Sequence, residues 1–477
     1  MDMKPKRYFN FISFFIVAAG FFGLFFYICY IMRSLPIVPY MDTLKFIQDY
    51  GILWEKNPFL LFRSWPYGQQ SGLIDPAFTY INIKLFSLNS LLASISTGFV
   101  IFIIYILLAY NIVLPTTSKP INISFFLLIL IIAISCFSLN GWQLYDLDLG
   151  MPEYFRNLTY LAIAIFANRK LIAKKIEYLN IIFYLFGLTI SILFFGMGEV
   201  YSFSFSLFLS LLFAYSVHNT KKDKFSLRFK YNQITIFISP LFFLTLYFFI
   251  SRYFSNGIFS TTGFSFKYFL YLPRSIATTT LSAEAINSMH INLIYVLIIG
   301  YFLLISYLFC LIYILYCSDF RKYFLPFFMS TFGLLTALSI VIARGPYGPQ
   351  FVMVSRYYVS YFFFFVGLIL MLYIIGQETN SIQNFTLHAK KISRLLLYIL
   401  FSIFFISQLI STNTEWHIAP YRSQYFQRME KLICQKGNLT SVDSHFLQAD
   451  NVNIANAAKF YMKKYSLGPF RLGGKCN

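Results

Sequence analysis

Apolar residues in this chain do not recur with the spacing of a single buried helix face. They run in unbroken blocks divided by short polar stretches. A helix rises 1.5 Å per residue, so about 20 apolar residues cross roughly 30 Å of hydrocarbon. By that measure the blocks near 10–32, 91–114, 124–140, 151–168, 181–197, 202–217, 234–251, 292–317, 325–343, 358–376 and 395–411 predict eleven membrane-spanning helices, within a range of ten to twelve. The expected fold class is an all-α polytopic membrane protein. The first block exceeds the roughly 7–15 residues of a secretory h-region and precedes no small-x-small cleavage site, so it reads as a retained span.

The polar stretches between blocks set the organisation. Two are long, 33–90 and 252–291, and the first holds the amphipathic runs "DTLKFIQDYGILW" and "LIDPAFTYINIKLF". Aromatic anchors beside such runs predict helices lying along the membrane interface. The chain therefore divides into a membrane domain, 1–410, carrying both long loops, and a small tail, 411–477. Within the tail, "NVNIANAAKFYMKKYSLGPF" predicts one helix and a short apolar anchor. No internal repeat of the kind found in many transporters is present.

Composition agrees. The 477 residues are 58% hydrophobic and 12% charged, whereas soluble domains carry about 25% charged residues, so the lipid bilayer is the implied solvent. A formal net charge of +20 invites a nucleic-acid reading, but the basic residues concentrate in short segments such as "KPKR", "NRKLIAKK" and "KKDKFSLRFK". That is how Lys and Arg set orientation, with the N-terminus cytoplasmic; no nucleic-acid partner is assigned. An odd number of spans then puts the tail outside. The acids Asp42, Asp49, Glu55, Asp75, Asp146, Asp148, Glu153, Glu199 and Glu284 all fall on that outer side. Orientation hardly depends on Asp and Glu, so either simple solvation of longer loops or a cation- or sugar-handling site explains the skew.

Four places carry candidate chemistry. Asp42 follows "PIVPY", whose prolines limit the backbone and stop the preceding helix, so it reads as a general base or as a helix-terminal charge. "NGWQLYDLDLGMPEYF" contains a DxD triplet, Asp146 and Asp148, a spacing that suits a divalent cation. Glu199 lies between two apolar runs, where an ionisable side chain is costly unless it has a role. Arg344 and Arg356 bracket the Gly/Pro-rich "RGPYGPQFVMVSR"; their guanidinium forks suit phosphate oxygens, and interface snorkelling is the alternative. Trp142 and Tyr357 are candidates for stacking on a sugar face. Cys434 and Cys476 share the tail and can form a disulfide in an oxidising compartment. No Walker loop, nucleotide fingerprint or HExxH is present, so no cofactor is assigned beyond that candidate divalent cation.

Taken in order, "VPYMDTLKFI", "GQQSGLIDPAFTYINIKLFSLN", "FSLNGWQLYD", "FGMGE" and "TALSIVIARGPYGPQFVMVSRYYVSY" resemble the GT-C class of membrane glycosyltransferases, and more narrowly the bacterial serotype-converting O-antigen glucosyltransferases. The resemblance is one of order and spacing. It implies transfer of a sugar, glucose in that group, from a polyprenyl-phosphate donor to a lipid-linked or nascent O-antigen polysaccharide on the outer face of the bacterial inner membrane. It makes Asp42 the base, gives Arg344 or Arg356 the carrier phosphate, and makes the tail periplasmic. Where many members carry two adjacent acids, this chain has Met-Asp-Thr. An O-antigen polymerase and a non-enzymatic flippase or transporter for lipid-linked sugar are the rival readings.

Overall fold

The computed structural model describes residues 5–51, 73–113, 123–172, 177–196, 198–219, 231–254, 265–316, 320–378 and 384–476. Every regular element among them is helical. Eight helices are long and apolar enough to cross a membrane: Phe11–Ser34, Ser90–Asn111, Ile123–Tyr145, Tyr231–Ser251, Leu293–Leu315, Phe324–Tyr347, Pro349–Gly376 and Leu387–Cys434. The protein is thus an all-α polytopic membrane protein, and these eight match eight of the expected spans.

The other three expected spans are shorter elements. Gly150–Phe166 has 17 residues, and Tyr178–Leu188 continues as the π-helical Thr189–Phe194. At 1.5 Å per residue, 17 residues reach only about 25 Å, less than a typical hydrocarbon core. The third is Val200–Tyr215, the apolar part of the helix Val200–Asn219. The final helix departs from expectation differently. It runs from Asn384 to Cys434, 51 residues, straight through position 411, where the tail was expected to begin.

Burial separates core from lipid-facing helices. The span ending at Gly376 is 94% buried within the protein, whereas Phe11–Ser34 is 28% buried and exposes Phe14, Phe22 and Phe25. The Phe-rich helix Tyr358–Gly376 is therefore the centre of the bundle, clasped by Phe324–Arg344 on one side and the long final helix on another. Without a hydrophobic drive between helices in lipid, small residues that let backbones approach do much of the joining. Gly333 abuts the backbone of Phe364, and Gly367 abuts Pro326 and Ser330; a Cβ at either glycine would strike those groups. Cation–π contact of Arg33 with Trp416, and stacking of Phe26 on Trp416, pin the first helix to the last.

If this crossing is as tight as the glycines imply, overpacking it will be felt. Gly333→Val and Gly367→Val are each expected to cost about 1–3 kcal/mol. Thermal melting of the detergent-solubilised protein tests this, and unchanged melting for both would refute the close crossing.

Candidate functional site

At one end of the bundle, six segments surround a cavity of about 910 Å³. Its lining includes Asp42, Glu199, Arg344, Arg356 and Tyr357, so five residues from three distant regions of the chain meet in one space. Local structure explains how each arrives. The chain leaving the first helix is tied down where Ser34 Oγ donates to Asp146 Oδ1 at 2.6 Å. After the two prolines, Met41 takes a left-handed φ of 55° and the helix Asp42–Asp49 begins at once. Asp42, Lys45 and Phe46 then share the cavity-facing side of that helix.

The opposite wall comes from the helix Phe324–Arg344. Thr336, Ser339, Ile340, Ala343 and Arg344 follow the i, i+3, i+4, i+7, i+8 spacing of one helix face, and all five line the cavity. Arg356 lies beyond the turn, with its guanidinium carbon 5.5 Å from the Tyr357 ring centre. Its Nε is buried and has no hydrogen-bond partner. Neither Arg344 nor Arg356 forms an ion pair among the described residues. Both side chains are half-buried, and two guanidinium groups without a carboxylate partner on one cavity are chemically suited to an anionic ligand.

Asp42 is open to the cavity and yet ringed by protein. That enclosure raises its carboxyl pKa, and Asp450 raises it further; Arg356 acts most strongly against the rise, followed by Lys45 and Arg344. Its carboxylate makes no ion pair among the described residues, which leaves it available to a ligand.

The cavity's acidic end was only partly visible in the sequence. Arg156, with no exposed surface, pairs with Glu153 one turn before it and with Glu199 at 2.8 Å. Glu199 Oε1 also accepts from Ser360 Oγ at 3.4 Å, so the expected cost of an acid at that depth is offset by partners. The i, i+3 spacing of Glu153 and Arg156 was a readable signal; their convergence with Glu199 was not. Asp75 lies beside them, 5% exposed, and burial pushes its carboxyl well above the ordinary range, with Glu153 adding to the shift.

Three candidates lie outside the cavity lining. In "LYDLDLG" the leucines Leu144, Leu147 and Leu149 face the cavity, while both aspartates are drawn to serines: Asp146 to Ser34, and Asp148 to Ser90 at 3.2 Å. Burial pushes both carboxyls up to about 7. The two carboxylates thus have different serine partners, and no group of three or more His, Cys, Asp or Glu arranged for a metal ion is found among the described residues. Trp142 lies under the guanidinium of Arg422, which is 3.3 Å from its ring centre and also bonds Tyr30 and Glu415.

The tail forms the remaining wall, which sequence reasoning missed. Gln448 and Asp450 line the cavity, and the Leu447 carbonyl accepts from the Met41 amide at 3.2 Å, one residue before Asp42. The helix Val452–Lys464 packs along Asp42–Asp49, and Gly51 leaves no room for a Cβ against the Tyr461 ring. Cys434 and Cys476 are joined as a disulfide, closing a loop that contains all of these contacts. No family model, curated protein or solved structure matches the chain.

Opening that loop is expected to loosen the Asp42 helix. The double variant Cys434→Ser/Cys476→Ser should lose about 2–4 kcal/mol of stability. It should also speed hydrogen exchange at Met41 and along 42–49. Exchange there at the wild-type rate would show that the tail does not hold the helix.

Proposed function

We propose that this protein is a glycosyltransferase of the GT-C type. It takes a sugar, glucose by the resemblance, from a polyprenyl-phosphate donor and passes it to a cell-surface polysaccharide such as O-antigen. The observation that carries this reading is the meeting of an unpaired acid, Asp42, with two unpaired guanidinium groups, Arg344 and Arg356, in one cavity. An acid available as base opposite an anion site is what glycosyl transfer from a lipid phosphate requires. We place the cavity at the outer face of a bacterial inner membrane, with the N-terminus cytoplasmic and eleven segments entering the bilayer, the three short ones included. The tail disulfide supports an oxidising, periplasmic side.

The chemistry follows from the arrangement. The acceptor hydroxyl gives its proton to Asp42 while its oxygen forms a bond to the anomeric carbon. The bond from that carbon to the phosphate oxygen breaks, and the lipid phosphate leaves with the electron pair. Arg344 and Arg356 neutralise the charge that develops on it. The donor bond already stores the energy of transfer, so no nucleotide site is needed.

The first test is cellular. Wild type and Asp42→Asn, matched for membrane level, are expressed in cells making a defined O-antigen, and the polymer is analysed by mass and linkage. A side-chain hexose present with wild type and absent with Asp42→Asn is expected, since general bases contribute about 100- to 10,000-fold. An unmodified composition with altered chain length would replace this reading with a polymerase.

The second test is the pH profile in vitro. Asp42 works only when ionised, and its raised pKa means that activity falls, as pH is lowered, at a higher pH than for a free carboxylate. Arg356 favours the ionised form, so in Arg356→Gln the acid limb moves up, with turnover reduced about 100- to 1,000-fold. Asp450 disfavours it, so in Asp450→Asn the limb moves down. An acid limb that moves in neither variant would show that a different group is titrating.

A further inference from the structure

Asp75 is not explained by the steps above. It stands in the first turn of the helix Ile74–Phe86, where the helix dipole favours an acid. The dipole does not explain why a side chain only 5% exposed lines the cavity with its Oδ1 lacking any hydrogen-bond partner. Buried polar atoms are almost always partnered, and an orphan at a cavity wall is a place for a ligand's polar group. Its neighbours cannot fill that role, because Glu153 and Glu199 are acceptors already committed to Arg156.

We propose that Asp75 reads the transferred sugar, its carboxyl hydrogen-bonding one ring hydroxyl and so setting which sugar the cavity accepts. The inference rests on the glycosyl-transfer reading and deepens it. A hydroxyl both donates and accepts, so it satisfies this carboxyl whether or not the carboxyl holds a proton. The acceptor is a polymer and must leave the cavity on its open side, where Gln448 and Asp450 are exposed. A closed-in position such as Asp75 suits the single residue being transferred. Sites that hydrogen-bond a hydroxyl reject the analogue lacking it far more strongly than apolar pockets reject a missing methylene.

The test is direct binding and needs no turnover. The full chain in nanodiscs is titrated calorimetrically with a short-chain polyprenyl-phosphate glucose, its 2-, 3-, 4- and 6-deoxy forms, and the bare polyprenyl phosphate. Wild type is expected to bind the glucose lipid more tightly than the bare lipid and to lose about 10-fold or more with one deoxy form. In Asp75→Ala that preference disappears while the other deoxy forms keep their rank. Asp75→Asn, which retains an acceptor oxygen and much the same shape, keeps part of the preference and guards against a misfolded Ala variant. A uniform loss across all the glucose lipids, or no preference among deoxy forms in wild type, overturns the role of Asp75 and leaves the transferase reading standing. Equal affinity for glucose lipid and bare lipid, or binding of neither, overturns both.

Discussion

The site depends on one enclosed charge. Arg156 has no surface in contact with solvent, and an unpaired guanidinium in such a place would cost far more than this fold could absorb. It is held by two carboxylates from different parts of the chain, Glu153 within its own helix and Glu199 at the entry to Val200–Asn219. Ser360, on the central helix, bonds Glu199 in turn. Three segments are thereby locked together at the cavity wall. Two carboxylates on one cation leave a negative excess; burial raises the pKa of Asp75 beside it, and Glu153 adds most to that shift. Replacing only one member would strand the others, so the group behaves as a unit.

A second constraint comes from the side away from the spans. Asp42 begins a helix of 8 residues, too short to hold itself in place, and its entry residue has an unfavourable left-handed backbone. Strain of that kind persists only where the surroundings enforce it. Here Ser34 and Asp146 fix the approach, the Leu447 carbonyl holds Met41, and the packed helix Val452–Lys464 supports the rest. The tail is therefore a structural wall of the cavity, stapled by Cys434 and Cys476.

What the sequence disclosed follows the range over which each signal acts. Long apolar runs marked eight spans because lipid thickness imposes a length that any reader can count. The elements at Gly150–Phe166 and Tyr178–Phe194 are of 17 residues each, short of a full span, and the first also carries Glu153 and Arg156. Asp42, Arg344 and Arg356 were legible because each stands at the edge of an apolar block, where a charge is conspicuous. Trp142 lies outside the cavity lining, and its place under Arg422 could not be read locally, since the partner is 280 positions away. Asp146 and Asp148 matched a short pattern, yet the alternating leucines carry the cavity-facing side of that segment. Asp75 and Asp450 gave no local sign of facing the cavity: their placement there arises from neighbours distant in sequence.

The cavity is polar in the electrical sense, and that polarity bears on how a reaction would be ordered. Arg356, Lys45 and Arg344 act on Asp42 to favour its ionised form, whereas Asp450 and the surrounding protein oppose it. An anion bound between the arginines would cancel their influence and raise the basicity of Asp42 further. A phosphate-bearing donor would therefore strengthen the base by its own arrival, before any bond breaks. Departure of the product phosphate would reverse the effect and help Asp42 release its proton to water. In the proposed reading the same two guanidinium groups would thus hold the leaving group and set the timing of the base, a double use open to them because neither forms an ion pair among the described residues.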